Sequence, residues 1–337
     1  MAGDAHPLGA AHGVTLQDVF RARSRLPHGI GHSPIARADW LDEAAGAAVW
    51  FKDETVSPTG AFKIRGATNA IAALDADARS KGVVTVSTGN HGRAVAYAAA
   101  AAGVRAIVCL SELVPEYRRE AIRRLGGDVR VVGRNQDEAE EEAQRLADNE
   151  GLTLVPPFDD PLIVAGQATI GLELAEALPD IGTVLVGLSG GGLAGGTALA
   201  LKSITPDVRI IGLSTDNGGA AMYESIRAGQ PVPVPEPPSL ADSLGGGIGL
   251  ENRCTFGLCR ELIDDVILLS EAEIAGGMRA VYRNQRMIAE GSAAIGPAAL
   301  VAGRTGTLPG PVACIISGNV VDMDVFTAII NGANALP

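Results

Sequence analysis

Short apolar runs alternate with amphipathic segments along most of the chain. Runs such as "GVVTVST" and "TVLVGL" are apolar throughout, which predicts strands buried on both faces of a sheet. Segments such as "TLQDVFRARSRL" and "AFKIRGATNAIAAL" carry apolar residues at helical spacing and predict helices. Strands and helices alternate from residue 82 to 149 and again from residue 166, which indicates parallel strands joined by right-handed crossovers. The pattern predicts an α/β protein.

The same alternation predicts two domains. Its first stretch forms a small α/β domain, residues 76–159, inserted into a large α/β domain of residues 15–75 and 160–337. Residues 1–14 show no such periodicity and predict a disordered tail. A chain of 337 residues is long enough to bury two cores. Each domain is expected to be built on an open, twisted, parallel sheet.

Charge and composition argue against several classes of function. A formal net charge of −12 and a pI near 4.9 disfavour a nucleic-acid partner and a membrane-binding surface. The apolar runs are too short to span a bilayer, and the first residues lack a signal-peptide pattern, so we expect a cytoplasmic protein. The four cysteines form no CxxC pair, so neither a metal site nor a disulfide framework is expected.

The first candidate site is the segment "SPTGAFKIRGA", residues 57–67. The chain has only four lysines, and Lys63 alone follows a glycine-bearing loop and enters the first turn of a predicted helix. The unpaired amides and the helix dipole disfavour a cation there, which favours a lowered pKa of the amine. A lowered pKa is what a lysine needs to form a Schiff base with an aldehyde. A solvated surface lysine is the alternative.

The second candidate site is "VGLSGGGLAGG", residues 186–196, where a buried strand runs through a serine and three glycines into a helix. Consecutive glycines let backbone N–H groups converge on a phosphate at a helix N-terminus. The stretch also satisfies G-x-G-x-x-G through Gly190, Gly192 and Gly195, with Asp216 after the next strand. A dinucleotide-binding module is therefore a rival hypothesis, although it leaves Lys63 without a role.

Two further loops follow predicted strands. The loop "VSTGNHGRA", residues 86–94, offers hydroxyls, an amide and free N–H groups to a carboxylate, whereas His91 itself suits a structural role better. Ser317 ends a buried strand, and Glu290 lies between apolar residues and a glycine, so its carboxylate needs a partner. Open α/β sheets bind ligands at the carboxyl ends of their strands. A lysine, a phosphate cradle, a carboxylate site and a serine together indicate pyridoxal 5′-phosphate.

The motifs "SPTGAFKIRGA", "STGNHG", "SGGGLAGG" and "SGNVVD", in this order, resemble the fold-type II pyridoxal-phosphate enzymes. The threonine/serine dehydratase branch fits best, over roughly residues 15–332. The stretches "LADSLGGGIGLENR" and "MIAEGSAAIG" are most similar to the dehydratases of hydroxyectoine utilisation. The resemblance implies a tryptophan-synthase-beta-like fold, with the cofactor in the cleft between two domains, and a homodimer or homotetramer.

The resemblance also implies roles for the matching positions. Lys63 would bind the cofactor and act as the base at Cα, Asn90 would bond the phenolic oxygen of the ring, and Ser317 would face the pyridine nitrogen. The implied catalytic residues are Lys63, Thr88 and Ser317. The implied cofactor-binding residues are Phe62, Lys63, Asn90, Ser189, Gly190, Gly191, Gly192, Leu193, Gly245, Glu290 and Ser317. The implied substrate-binding residues are Ser87, Thr88, Gly89, Asn90 and His91.

The implied reaction is α,β-elimination from a β-hydroxy amino acid, giving a 2-oxo acid and ammonia. The substrate would be similar to threonine or serine, or derived from hydroxyectoine. A pyridoxal-phosphate-dependent β-replacement enzyme and a non-catalytic nucleotide-binding module are the alternatives. Three positions depart from the family pattern. Thr88 stands where racemases have a serine, Ser189 stands where a glycine is usual, and Ser214 stands where metal-binding members have a glutamate. These departures disfavour racemisation and a cation site.

Overall fold

The computed structural model describes residues 7–87 and 89–336. The strands of this part of the chain are β1 (Ile35–Arg37), β2 (Val49–Asp53), β3 (Val83–Val86), β4 (Ala106–Leu110), β5 (Asp128–Val131), β6 (Thr153–Leu154), β7 (Thr183–Gly187), β8 (Arg209–Thr215), β9 (Asp265–Leu269) and β10 (Val312–Ile316). Its α-helices are α1 (Leu16–Arg25), α2 (Asp42–Ala45), α3 (Lys63–Ala72), α4 (Ala76–Lys81), α5 (Asn90–Ala101), α6 (Glu116–Arg124), α7 (Gln136–Glu150), α8 (Pro161–Ala177), α9 (Gly192–Ile204), α10 (Ala221–Ala228), α11 (Thr255–Leu262), α12 (Glu271–Gln285), α13 (Gly291–Val301) and α14 (Met323–Ile330).

The strands form two sheets. The larger sheet has the order β1-β2-β10-β7-β8-β9, and the smaller has the order β5-β4-β3-β6. All pairings are parallel except that of β1 with β2, which is antiparallel. The predicted fold class, two α/β units built on parallel sheets, is confirmed. The domain boundaries stay a prediction, although all four strands of the smaller sheet lie within residues 83–154.

The central strands are apolar throughout because helices cover both faces of the sheet. Along β7, Val184 and Val186 pack into the core on one face, whereas Leu185 packs into the core on the other. All three side chains are fully buried. Alternate side chains of a strand point to opposite faces, so a strand buried on both faces needs an unbroken apolar run. The sequence pattern therefore predicted these strands.

The prediction that residues 1–14 form a disordered tail is wrong for residues 7–14. Residues 10–12 form a 3-10 turn, and Val14 is completely buried in the core beside α1. The His12 ring contacts Glu261 at 2.8 Å, which attaches this segment to α11. The remaining residues of that prediction, 1–6, lie outside the described part of the chain. A segment in which one valine is buried shows no hydrophobic periodicity in its sequence.

No helix in the described residues combines the length and the apolar content needed to cross a bilayer.

Helices α3 and α8 pack against each other at two glycines, which matters because α3 begins with Lys63. A Cβ atom built on Gly166 would lie 2.6 Å from the Cα atom of Gly66 and 2.7 Å from the carbonyl oxygen of Arg65. Neither of these backbone atoms can move without shifting a helix. The absence of a side chain at Gly166 therefore sets the spacing of the two helices.

We predict that Gly166→Ala destabilises the protein, because the methyl group forces α3 away from α8. Overpacking of this kind costs about 1–3 kcal/mol, to be measured by urea unfolding. The control is Gly276→Ala in α12, where an added Cβ meets no atom within 4 Å. That change should stabilise by roughly 0.5–1 kcal/mol. Equal effects of the two substitutions would contradict the role assigned to the close helix contact.

Candidate active site

One cavity lies where loops from both sheets meet. Its walls are the loops that follow β3, β7 and β10, the first turn of α3 and the start of α13. The cavity brings together every predicted site residue that the structure describes, which are Phe62, Lys63, Ser87, Gly89, Asn90, His91, Ser189, Gly190, Gly191, Gly192, Leu193, Gly245, Glu290 and Ser317. Thr88 lies outside the described residues. The roles of these side chains stay predictions, but their convergence is a feature of the structure.

Lys63 begins α3 and directs its amine into the cavity. Its Nζ donates a hydrogen bond of 2.6 Å to the backbone carbonyl of Pro157 and has no carboxylate partner within the described chain. Although the residue keeps part of its surface accessible, desolvation of the amine lowers its pKa to about 8. A larger share of the amine is therefore neutral at physiological pH than for a lysine in water.

The loop before Lys63 is fixed to the end of β10. Phe62 N–H donates to the carbonyl of Ser317 at 3.0 Å, and Asn319 N–H donates to the carbonyl of Gly60 at 2.9 Å. Gly60 has φ +75°, a conformation that favours glycine. Within the loop, the Ser57 hydroxyl bonds both the N–H and the carbonyl of Ala61. The "SPTGAF" sequence thus forms a turn that places the lysine beside Ser317.

The glycine loop after β7 presents a row of unpaired backbone donors. In the described chain, none of the N–H groups of residues 189–194 donates to a protein acceptor. Gly191 is the N-cap of α9 with φ +84°, and a Cβ there would meet Cys259 and Met222 at 2.8 Å. A Cβ on Gly190 would overlap the ring of Phe158. The glycines are thus required both by conformation and by close packing.

Asn90 and Glu290 face each other across the cavity. The Asn90 amide nitrogen donates to both Glu290 carboxylate oxygens, at 3.1 and 3.3 Å, while its own amide oxygen is buried without a partner among the described residues. Burial, with a contribution from the charge of Asp242, raises the pKa of Glu290 to about 7. The predicted need of Glu290 for a partner is met by an amide rather than by a cation.

His91 is neutral. Its Nε2 lies 3.0 Å from the carbonyl oxygen of Val155 and must carry the hydrogen, because a carbonyl only accepts. Nδ1 is then an acceptor, and in the part of the chain that the structure describes it is buried without a partner. Burial and the charge of Lys63 lower the pKa of the ring to about 3. Ring protonation is therefore excluded at physiological pH.

Several wall residues were not identified from the sequence as site residues. Pro157 and Phe158 follow β6, a strand of only two residues that gives no recognisable period. Arg118 of α6 was not identified either, and it approaches Asp242, in the loop that precedes α11, at 3.7 Å. The "PPF" sequence after an apolar pair is a signal that could have indicated a loop at a strand end.

Residues 26–318 match the profile of the family described as pyridoxal-phosphate dependent enzymes. The chain belongs to this family, and its cofactor is pyridoxal 5′-phosphate. It is 50% identical over 95% of its length to a Sinorhizobium fredii protein named provisionally as a threonine dehydratase, of which it covers 96%. It is 37% identical over 94% of its length to an L-threonine ammonia-lyase of Thermotoga maritima, of which it covers 78%. Among solved structures, maize serine racemase is similar at a TM-score of 0.86 and 32% identity, covering 94% of this chain and 97% of that one.

The residues present suit this cofactor. The unpaired N–H groups at the start of α9 form a site for a phosphate, and Lys63 has the lowered pKa that an aldehyde-binding amine needs. Ser317 is nearly buried, and its hydroxyl makes no hydrogen bond to the described residues. Within those residues, no three potential metal ligands cluster. The donors of the cavity therefore match a phosphate, an aldehyde and a polar ring.

The raised pKa of Glu290 predicts a pH-dependent stability. In the folded chain this carboxyl binds its proton more tightly than in the unfolded chain, so it lowers stability as the pH rises from about 4.3 to about 7. Glu290→Gln should therefore gain stability over the wild type at pH 8 relative to pH 5, by up to about 3 kcal/mol. Urea unfolding at both pH values, without added cofactor, measures the difference.

A matched control is Glu251→Gln, since the Glu251 side chain is 92% exposed. That variant should differ from the wild type by the same small amount at both pH values. A stability gain of Glu290→Gln that does not grow with pH would contradict the assignment.

Proposed function

We propose that this chain is a pyridoxal-phosphate-dependent ammonia-lyase that converts a β-hydroxy amino acid into a 2-oxo acid and ammonia. The observation that carries the proposal is the pairing, in one cavity, of an uncompensated lysine amine with a row of unpaired N–H groups at a helix start. The names of the two relatives, a threonine dehydratase and an L-threonine ammonia-lyase, support the same reaction class. The substrate class is a small amino acid.

Each wall of the cavity has a part in the proposed reaction. The N–H groups of residues 189–193 would hold the cofactor phosphate, and the Ser317 hydroxyl would contact the ring nitrogen. The loop of residues 87–91 would bind the substrate carboxylate through its N–H groups and hydroxyls. When bound, pyridoxal 5′-phosphate supplies an electron sink for negative charge at Cα. Neutral His91 would offer Nδ1 as an acceptor to a ligand and adds no positive charge beside Lys63.

Lys63 is proposed to move the proton. Its amine, neutral to a useful extent because the pKa is about 8, would take the proton from Cα of the substrate. The carbon–oxygen bond at Cβ then breaks, and the hydroxyl group leaves with one proton as water. Hydrolysis of the unsaturated product consumes one water and releases ammonia and a 2-oxo acid. No oxidant or reductant is required.

Finer aspects of the function stay predictions. Threonine, serine and a hydroxyectoine-derived amino acid are the substrates to compare, and addition of a thiol separates elimination from β-replacement. A racemase among the structural relatives makes the stereochemistry of unreacted substrate a useful further measurement. We also propose a homodimer or homotetramer and a cytoplasmic location. The dinucleotide-binding alternative loses its support, because the family accounts for both the glycine loop and Lys63.

We predict that Lys63→Ala abolishes covalent cofactor binding. After addition of pyridoxal 5′-phosphate and borohydride, peptide mass spectrometry should find the adduct on Lys63 of the wild type only. Formation of 2-oxo acid should fall by about 10²–10⁴-fold, the usual contribution of a positioned base. The control is Lys81→Ala, since Lys81 is exposed and paired with Asp77. A wild-type protein without an adduct, or without 2-oxo acid from any candidate substrate, would refute the proposal.

A further inference from the structure

Four charged side chains are buried together outside the cavity. Lys52, Glu54, Arg65 and Glu173 are each between 0 and 3% exposed. Arg65 forms a fork with Glu54, through Nε to Oε2 at 2.7 Å and Nη2 to Oε1 at 2.8 Å. Its Nη1 donates to Glu173 and, at 3.0 Å, to the hydroxyl of Thr169. Lys52 Nζ reaches the other Glu173 oxygen at 2.5 Å. We call these four residues the buried ionic cluster.

The cluster joins three elements behind the candidate active site. Lys52 and Glu54 lie at the end of β2, Arg65 lies in the first turn of α3, and Glu173 lies in α8. Glu54 N–H also donates to the carbonyl of Ile316 at 2.9 Å, next to Ser317. The cluster therefore links the start of α3 to the strand end that carries Ser317.

Arg65 and Lys63 point in different directions from the same helical turn. Successive residues of an α-helix are rotated by about 100°, so positions two apart differ by about 200°. Lys63 lines the cavity, whereas none of the four cluster residues does. Arg65 thus holds the first turn of α3 from the side opposite the amine.

Stability alone does not explain such a cluster. Burying two cations and two carboxylates is costly, and well-packed apolar side chains usually replace an ion pair without loss. Although burial opposes it, the charges of Arg65 and Lys52 hold the pKa of Glu173 below its usual range. What a bidentate guanidinium adds over apolar packing is a fixed direction. The cluster fixes the rotation of α3 about its axis.

We propose that Arg65 is a positioning residue that aims the Lys63 amine into the cavity through the first turn of α3. The proposal rests on the proposed function, because it gives Lys63 the part of the aldehyde-binding amine. Arg65 touches no ligand and acts only through the helix and its two carboxylates. Its effect should therefore fall on the covalent bond to the cofactor and leave the phosphate site unchanged.

The test substitution is Arg65→Lys, which keeps the positive charge but removes the pair of hydrogen bonds to the two oxygens of Glu54. Binding of pyridoxal 5′-phosphate, which has an aldehyde, is compared with binding of pyridoxine 5′-phosphate, which has an alcohol there and forms no covalent bond. We expect roughly ten- to one-hundred-fold weaker binding of the aldehyde and unchanged binding of the alcohol. A merely structural defect would weaken both ligands alike, and that result would overturn the proposal, as would no change in either.

The matched control is Arg25→Lys. Arg25 contacts the same helix through Asn69, with Nη1 to Oδ1 at 3.1 Å, but lies away from its first turn. This variant should bind both ligands as the wild type does. Thr169→Val is a milder second variant, since it removes one acceptor of Arg65 and keeps all four charges paired. If Arg65→Lys does not fold, Thr169→Val should show the same selective loss, and its absence would overturn the proposal.

A second measurement does not depend on the proposed function. The rate at which acetic anhydride acetylates Lys63 in the cofactor-free chain, followed against pH by peptide mass spectrometry, reports the pKa of the amine. Arg65→Lys should raise that pKa above the value of about 8, because a loosened first turn lets water reach the amine, and Arg25→Lys should not. If the wild type binds neither phosphate ligand, the proposed function fails, while this pKa comparison still decides whether Arg65 positions Lys63. An unchanged pKa in Arg65→Lys would overturn the inference.

Discussion

The desolvation of one amine is the constraint around which the cavity is built. Lys63 Nζ has a single protein partner, the carbonyl of Pro157, and no carboxylate within the described residues. The N-terminus of α9 faces the same cavity and also favours negative charge. Two features of positive character at one end of the cavity disfavour a cationic ligand there. They suit a ligand that carries a phosphate at one point and an electrophilic carbon at another.

Two buried carboxyl groups of the protein have pKa values shifted in opposite directions. In the buried ionic cluster, Glu173 meets two cations and its pKa is held low although burial opposes it. At the cavity, Glu290 meets an amide and a second carboxyl, and burial raises its pKa to about 7. The first arrangement fixes a helix, because Arg65 of α3 binds carboxylates of two other elements. The second leaves a carboxyl that can change its protonation state near neutrality.

The four motifs located the walls of the cavity because each lies at the carboxyl end of a parallel strand or at the helix start beside one. Such ends meet at one edge of a sheet, so "SGGGLAGG" and "SGNVVD" had to be neighbours once their strands paired. The antiparallel strand β1 was missed because three residues are too few for a period. Helix α13 was missed because it is apolar on all sides and contains Pro297.

The parts that could not be predicted are those that depend on residues distant in sequence. The buried ionic cluster joins positions 52, 54, 65 and 173. The apolar strand around Lys52 allows burial of its amine, but nothing local to any of the four positions identifies the partners. Phe158, which closes over the glycine loop, lies about 30 residues before that loop in the chain, beyond the range of any turn or helix signal. Local patterns specify strands, helices and turns, whereas the partner of a buried charge is set by the packing of whole elements.

The contact between Asn90 and Glu290 is compatible with the part that the family resemblance gives to Asn90. An amide nitrogen carries two hydrogens, so one can stay on the Glu290 carboxylate while the other is donated to an oxygen of a ligand. The buried amide oxygen of Asn90, which lacks a partner within residues 7–87 and 89–336, is left as an acceptor. Because Glu290 changes protonation near pH 7, the amide faces a carboxylate above that pH and a carboxylic acid below it. Ionisation strengthens the hydrogen bonds that the Glu290 oxygens accept, which favours the orientation of Asn90 with its amide nitrogen toward Glu290.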